Sequence, residues 1–319
     1  MYAVGVDLGA TNLRVVVADE NGEFLVKISE HTVHEGTGWN VTAQIIRMIK
    51  EALTKSGVDL REVAGIGVGA IGPLDLRRGV ILKTPNLPFE EIPIVEPLEK
   101  EFGKPVRMLN DCTTAVVGEK HFGAGKGKDN IVYVTISTGI GGGAYVDGYL
   151  LLGKDGNFCE PGHTVIDPYG KLECSCGKRG HWEAYCSGRC IPRFVKLLKE
   201  EWGVKETVLS GDFTAKDFFD AVRQGDEFAL RALKLIQKFN AIGFANIIDM
   251  YDPSLITVGG SVALNNKDYI IDPLQEAVKD YIINRPPEIK ATPLGGDIVL
   301  YGAVALALGL EKPRRELRD

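Results

Sequence analysis

Residues 174–183 read CSCGKRGHWE and bring two thiols, an imidazole and a carboxylate into ten positions. Such a group can be a disulfide half, a metal knuckle or a chance cluster. Cys174-x-Cys176 followed by His181 supplies three soft or borderline ligands, and Gly177 and Gly180 permit the tight backbone that a knuckle needs. A closed structural zinc site requires a fourth ligand. Slightly upstream, Glu160-Pro-Gly-His163 sets an acceptor and an imidazole on one tight turn, aimed into a common volume. Taken alone, that histidine reads first as a structural one.

Two glycine turns have the composition of phosphate cradles. Asp7-Leu-Gly-Ala-Thr11 places an acid at the end of an apolar run, then a turn in which glycine brings N–H groups near an anion and threonine adds a hydroxyl. A plain hairpin is the competing reading. In Ser137-Thr-Gly-Ile-Gly-Gly-Gly-Ala144, Gly139, Gly141 and Ala144 match the outline of a dinucleotide fingerprint. That fingerprint must open a helix, whereas the next residues, YVDGYLLLG, read as strand and turn. No GxxxxGK[ST] occurs either. A second phosphate-holding hairpin is the better reading, with Gly259-Gly260-Ser261 as a side-chain-free floor for a base. The pair Asn110-Asp111 ends a short strand before a helix, where aspartate reads first as an N-cap.

The elements that must position these residues are set by hydrophobic period. Alternation and β-branched density predict strands over 2–8, 13–19 and 23–29, the first two joined by the turn 9–12. Helical spacing comes next over 40–55, then a strand 64–70, a helix 94–102, a short strand 106–109 and a helix 113–121. After a Gly-Lys boundary loop at 123–130, a strand over 131–137, a glycine cluster and a strand pair around 143–152 echo the opening of the chain. The match is weak in letters but clear in kind, which suggests an internal duplication without establishing one. Helices are predicted over 190–201, 214–223, 227–250, 270–281 and 300–308, with a strand over 255–258.

The chain has 319 residues, 45% hydrophobic and 25% charged, which suits two globular domains. A net charge of −6 argues against a nucleic-acid surface. The one compact basic run, Lys312 to Arg318, reads as a frayed end. Apolar runs such as 301–310 fall well short of the ~18 residues of a membrane span, and MYAVGVDLGA reads as a strand rather than an export signal. A cytoplasmic protein is expected. In that compartment Cys112, Cys159, Cys174, Cys176, Cys186 and Cys190 stay reduced, which leaves metal or coincidence for the cysteine cluster.

The two glycine turns, the Asn-Asp pair, the E-x-G-H group and the C-x-C-G-x-x-G cluster with its trailing Glu183 together resemble the ROK sugar kinases, almost end to end. The resemblance implies an α/β, two-domain actin-like or hexokinase-like ATPase fold of ribonuclease H-like repeats with a cleft between lobes. The lobes would be 1–122 plus 300–319, and 123–299 with the zinc knuckle. It implies ATP contacts at Asp7, Gly9, Ala10, Thr11, Asn12, Thr138, Gly139, Gly141, Gly259 and Gly260, and Mg²⁺ held by Asp7 through water. Asp111 would be the catalytic base, taking the proton of a sugar hydroxyl as it attacks the γ-phosphate. Sugar contacts would come from Gly72, Asn86, Asn110, Asp111, Glu160, His163 and Glu183. The chain departs from the family at Gly69-Ala-Ile-Gly-Pro73, where a proline more often precedes the second glycine.

For the metal, the resemblance implies structural zinc on His163, Cys174, Cys176 and His181, with Cys186 the rival for the fourth place. His181 stands where the family usually has a third cysteine. The activity implied is ATP-dependent phosphorylation of a hexose, with glucose leading. N-acetylmannosamine, N-acetylglucosamine, glucosamine, allose and fructose remain open, as do other phosphoryl donors. The expected partners are sugar and ATP, without nucleic acid or membrane, in a homodimer or homotetramer. A non-catalytic sugar-sensing regulator is the alternative, disfavoured because the chain opens on its first strand rather than on a DNA-binding module. An actin-like or chaperone-type ATPase is a more distant one.

Overall fold

The computed structural model describes residues 1–84 and 86–311. The basic run at 312–318, read above as a frayed end, lies outside the described residues. Among the described residues the chain forms two compact units, one of residues 1–129, 143–158 and 296–311, the other of residues 130–142 and 159–295.

In chain order the elements begin with β1 (Tyr2–Leu8), β2 (Asn12–Asp19), β3 (Phe24–His31), α1 (Gly38–Ser56), β4 (Val63–Ala70), β5 (Leu74–Asp75), β6 (Val80–Leu82), β7 (Glu91–Pro93), α2 (Val95–Phe102), β8 (Val106–Asn110) and α3 (Asp111–His121). The main sheet has the order β3-β2-β1-β4-β8. β1 and β2, and β2 and β3, are antiparallel, whereas β1, β4 and β8 run parallel. β1 and β4 are buried along nearly their whole length, which explains why YAVGVDL and VAGIGVGA are almost continuously small and apolar. β3 alternates half-buried and exposed residues and, as an edge strand, turns Lys27 outward. Between β3 and β4, a Thr37–Asn40 capping box opens α1, and Val41, Ile45, Met48, Ile49 and Ala52 form its buried stripe.

The chain continues with β9 (Ile131–Ile136), β10 (Ile140–Val146), β11 (Tyr149–Leu150), α4 (Glu183–Cys186), α5 (Ile191–Glu201), α6 (Ala215–Arg223), α7 (Glu227–Tyr251), β12 (Leu255–Gly259), α8 (Ser261–Asn265), α9 (Lys267–Ile270), α10 (Leu274–Ala277), β13 (Glu288–Ala291) and α11 (Ile298–Ala307). The second five-stranded sheet has the order β11-β10-β9-β12-β13. In both sheets the first strand has its hairpin partners on one side and two later strands on the other, so the suspected duplication appears as topology. In the second unit, Trp182 is fully buried, donates its indole N–H to Asn240 Oδ1 at 2.9 Å and meets Phe244 edge-on. This aromatic anchor sits in sequence between His181 and Glu183.

Besides the short helices α4 and α8, three features were not foreseen. The strands β5, β6 and β7 form a small sheet of their own, too short to give a period. β13, EIKA, has only one buried residue to mark it. The helix expected over 270–281 is broken into α9, α10 and a 3₁₀ turn Val278–Asp280, with Pro273 at the start of α10, where its missing N–H costs nothing. Among the described residues no helix is long and apolar enough to cross a membrane.

In the first unit, α11 lies directly against α3 and β4 because glycine clears the way. A Cβ at Gly302 would stand 1.7 Å from the Thr114 carbonyl oxygen, and one at Gly67 would stand 1.9 Å from that of Ala303. Backbone cannot yield there as a flexible side chain could. Gly302→Ala is therefore expected to lose about 1–3 kcal/mol or more in urea unfolding, despite alanine's better helix propensity. Wild-type stability in that variant would reject the close-packing account.

Candidate active site and metal centre

The register of the parallel strands sets Leu8 beside Ala70 and Ala70 beside Asn110. The turn after β1, the segment after β4 and the start of α3 therefore share one sheet edge, at the carboxyl ends of the strands. Crevices at such edges are where open α/β sheets bind ligands.

Asp7, near the end of β1, is 8% exposed. Gly9 N–H closes the turn onto the Asn12 carbonyl at 3.0 Å. The hairpin pairs Asp7 with Arg14, whose Nε donates to Asp7 Oδ2 at 2.8 Å and whose Nη2 donates to the same oxygen. Arg14 Nη1 also donates to the Gly296 carbonyl at 2.8 Å and to Asp297 Oδ1 at 3.0 Å, and Lys27 Nζ donates to Asp297 at 2.7 Å. Burial raises the Asp7 pKa, and the Arg14 guanidinium opposes that rise without cancelling it. Arg14 was not among the residues expected at the site. Its signal was available in the hairpin, because a turn at 9–12 makes residue 14 the cross-strand neighbour of residue 7.

Asn110 is the N-cap of α3. Its Oδ1 accepts from Cys112 N–H at 2.9 Å and Thr113 N–H at 3.5 Å. The cap expected at Asp111 is thus one residue earlier, and Asp111 is the first helical residue. Its Oδ1 accepts from Cys112 N–H at 2.7 Å. Burial, and after it the Asp7 charge, pushes the Asp111 pKa up to about 6. A carboxylate so placed is mostly ionised at neutral pH and a stronger base than an exposed aspartate. Gly72 lies close by, since a Cβ there would approach Asn110 Nδ2 to 3.5 Å. Asn86 is exposed on the loop between β6 and β7.

In the second unit, Ser137 N–H donates to the Gly139 carbonyl at 2.9 Å and tightens the glycine turn. The turn leads into β10 and not into a helix, in keeping with the rejection of a dinucleotide fingerprint. The Ser137 and Ser261 hydroxyls are 3.0 Å apart, joining this turn to the segment after β12. Gly260 adopts φ +88°, and a Cβ there would lie 2.5 Å from the Ile136 carbonyl oxygen, so only glycine allows this approach to β9.

Glu183, at the start of α4, bridges two parts of the unit. Its Oε2 accepts from Ile140 N–H at 3.0 Å, while Oε1 accepts from Ser175 Oγ at 2.8 Å and from the Cys174 thiol at 3.4 Å. The glycine turn and the cysteine loop are therefore held by one buried carboxylate. Ser175, between the two cysteines, is a second residue that spacing alone did not mark. Glu160 is exposed just before the 3₁₀ turn Pro161–His163 that carries His163.

The ligating atoms of His163, Cys174, Cys176 and His181 all lie within 4.8 Å of one another. The two Nδ1 atoms are 3.3 Å apart, Cys176 Sγ is 3.3 Å from His181 Nδ1, and Cys174 Sγ is 3.8 Å from His163 Nδ1. A tetrahedral zinc with Zn–N near 2.0–2.1 Å and Zn–S near 2.3 Å has ligand–ligand edges of about 3.3–3.8 Å. The donor set fits that ion in number and type, and these three distances fall in that range. Cys186 lies elsewhere, fully buried, with its thiol directed to the Ile236 carbonyl at 3.6 Å.

Comparison with known proteins agrees across nearly the whole chain. Residues 3–309 match the family model described as ROK family. The glucokinase of Pyrobaculum calidifontis is 40% identical over 304 residues, covering 95% of this chain and 94% of the relative. The ROK hexokinase from Thermus thermophilus superposes with a TM-score of 0.83 at 33% identity, covering 97% of this chain and 98% of that one. A ROK family glucokinase from Streptomyces griseus, solved with glucose and AMPPNP, gives a TM-score of 0.74 at 31% identity, with 96% and 99% covered.

Proposed function

This chain belongs to the ROK family, and from that premise we propose that it is an ATP-dependent glucokinase, transferring the γ-phosphoryl group of Mg·ATP to the 6-hydroxyl of glucose. The observation that carries the reading is the Asp111 carboxylate at the strand-end edge next to the Asp7 turn, with its pKa raised to about 6. Similarity to the glucokinases of Pyrobaculum calidifontis and Streptomyces griseus supports glucose as acceptor.

In this reading Asp111 orients the sugar hydroxyl and accepts its proton as the oxygen–phosphorus bond forms and the β–γ bridge breaks. Oδ1 is held by Cys112 N–H, which assigns the proton to Oδ2. The phosphates are assigned to the turns at Gly9–Asn12 and at Thr138, Gly139 and Gly141, and the base to Gly259-Gly260. Mg²⁺, when bound, neutralises charge on the β- and γ-phosphates. Asp7 would hold it through water, with Arg14 fixing the carboxylate's direction. Sugar hydroxyls are assigned to Gly72, Asn86, Asn110, Glu160, His163 and Glu183.

Zinc on His163, Cys174, Cys176 and His181 would have no open position and so a structural task. With His163 Nδ1 turned to the ligand cluster, Nε2 lies on the far side of the ring, where it can meet the sugar. A cytoplasmic homodimer or homotetramer without nucleic-acid or membrane partners completes the proposal.

A coupled assay of ATP consumption across a hexose panel tests it. Glucose should give the highest kcat/KM, ahead of N-acetylmannosamine, N-acetylglucosamine, glucosamine, allose and fructose. Inertness toward every sugar would reject a kinase, and a higher kcat/KM for another acceptor would reject glucose.

A further inference from the structure

The first phosphate turn is held from behind by one short segment. Thr32 Oγ1 donates to the Gly9 carbonyl at 2.8 Å. His34 Nε2 lies 2.8 Å from the Ala10 carbonyl oxygen. The Thr11 carbonyl accepts from Thr32 N–H at 3.0 Å and has His31 Nδ1 at 3.3 Å. Three successive carbonyls are thus drawn to residues 31–34. A carbonyl can only accept, so His34 must carry its proton on Nε2.

The segment is itself fixed to α1. Gln44, 6% exposed, accepts from Val33 N–H at 3.0 Å and donates to the His31 carbonyl at 2.8 Å. Thr32 is 4% exposed. The bonds run in series from the buried helix to the segment and then to the turn.

Peptide planarity gives this arrangement a consequence. In a trans peptide the C=O of one residue and the N–H of the next point in opposite directions. Carbonyls of Gly9 and Ala10 held toward residues 31–34 therefore direct the N–H groups of Ala10 and Thr11 away from them. Among the described residues, neither N–H donates to a backbone carbonyl in a turn or loop. Donors aligned in advance spare an anionic ligand the cost of ordering them.

We infer that residues 31–34 are a carbonyl clamp that presets the N–H groups of the first turn for the phosphates of ATP, with Thr32 and His34 as positioning residues. The inference rests on the kinase reading above and goes beyond it by naming residues that touch no substrate. Their effect should fall on the nucleotide and not on the sugar.

The test measures Mg·AMPPNP binding by calorimetry, and KM for ATP and for glucose, in Thr32→Val and His34→Ala. Thr32→Ser and His34→Gln restore a donor and serve as rescues. In each of the first two variants, Kd for Mg·AMPPNP and KM for ATP should rise about 5- to 30-fold. KM for glucose should stay within about twofold, and the rescues should recover most of the loss. A wild-type protein that binds no Mg·AMPPNP would defeat the kinase reading itself. A wild type that binds it, with unchanged nucleotide affinity in both variants, would defeat the clamp alone. Parallel changes in both KM values that track a lowered melting temperature would also overturn it, by reducing these residues to general packing. His34 is exposed, so its pair of variants decides the matter if Thr32→Val does not fold.

Discussion

Asp111→Asn should lower kcat for glucose phosphorylation by about 10²–10⁴-fold, the usual worth of a positioned general base, while leaving Mg·AMPPNP affinity nearly unchanged. The amide keeps an oxygen for Cys112 N–H, so the start of α3 should survive. It cannot accept the proton. The wild-type pH profile provides an independent check. With its pKa raised to about 6, Asp111 is protonated and inactive below that pH, so kcat/KM should rise with a limb near pH 6 and level off above it.

The stability effect has the opposite sign. The folded-state pKa lies above the ordinary aspartate value of 3.8, so folding favours the protonated form, and its contribution is lost as pH rises from about 4 through about 6. Removing the charge at pH 7 should therefore leave the Asn variant at least as heat-stable as wild type. An Asn variant with wild-type kcat would remove Asp111 from the mechanism. A profile flat between pH 5 and 8 would remove the pKa argument.

The second large effect concerns the cysteine loop. Elemental analysis should find one zinc per chain, and Cys174→Ser, which replaces a thiolate by a poor ligand, should lose it. Structural zinc sites contribute several kcal/mol or more, and the melting temperature should fall by about 10 °C or more. The kinetic loss should extend beyond the sugar. His163 belongs to the ligand set, and Ser175, between the two cysteine ligands, holds Glu183, which in turn holds Ile140 N–H of the glycine turn. KM values for glucose and for ATP should therefore both rise when the metal is lost. Carefully purified protein that lacks zinc yet has full activity and an unchanged melting curve would refute this account.

The contrast between foreseen and unforeseen elements has a physical basis. β1 and β2 are runs of seven and eight residues rich in buried β-branched side chains, and α1 and α7 span several helical turns, so chain order alone marked them. β5 and β6, of two and three residues, cannot show a period, and β13 has one buried side chain. Apolar spacing over 270–281 predicted one helix, but Pro273 divides it. At the site, three candidate metal ligands fall within eight residues and were legible as a cluster. His163 lies eleven positions before Cys174, and nothing in its spacing chooses it over Cys186.

Residue types and short spacings by themselves determined the two glycine hairpins, the acid pairings available to them and the soft-ligand knuckle, because each depends on neighbours only a few positions apart. Three-dimensional packing decided that Asn110 caps α3 and frees Asp111 for other work, that Arg14 reaches both Asp7 and Asp297, and that Glu183 joins the knuckle to a glycine turn. It also decided the protonation of Asp111. That value depends on burial and on the charge of Asp7, far away in the chain but on the same sheet edge, where a low local dielectric lets one carboxylate act on the other.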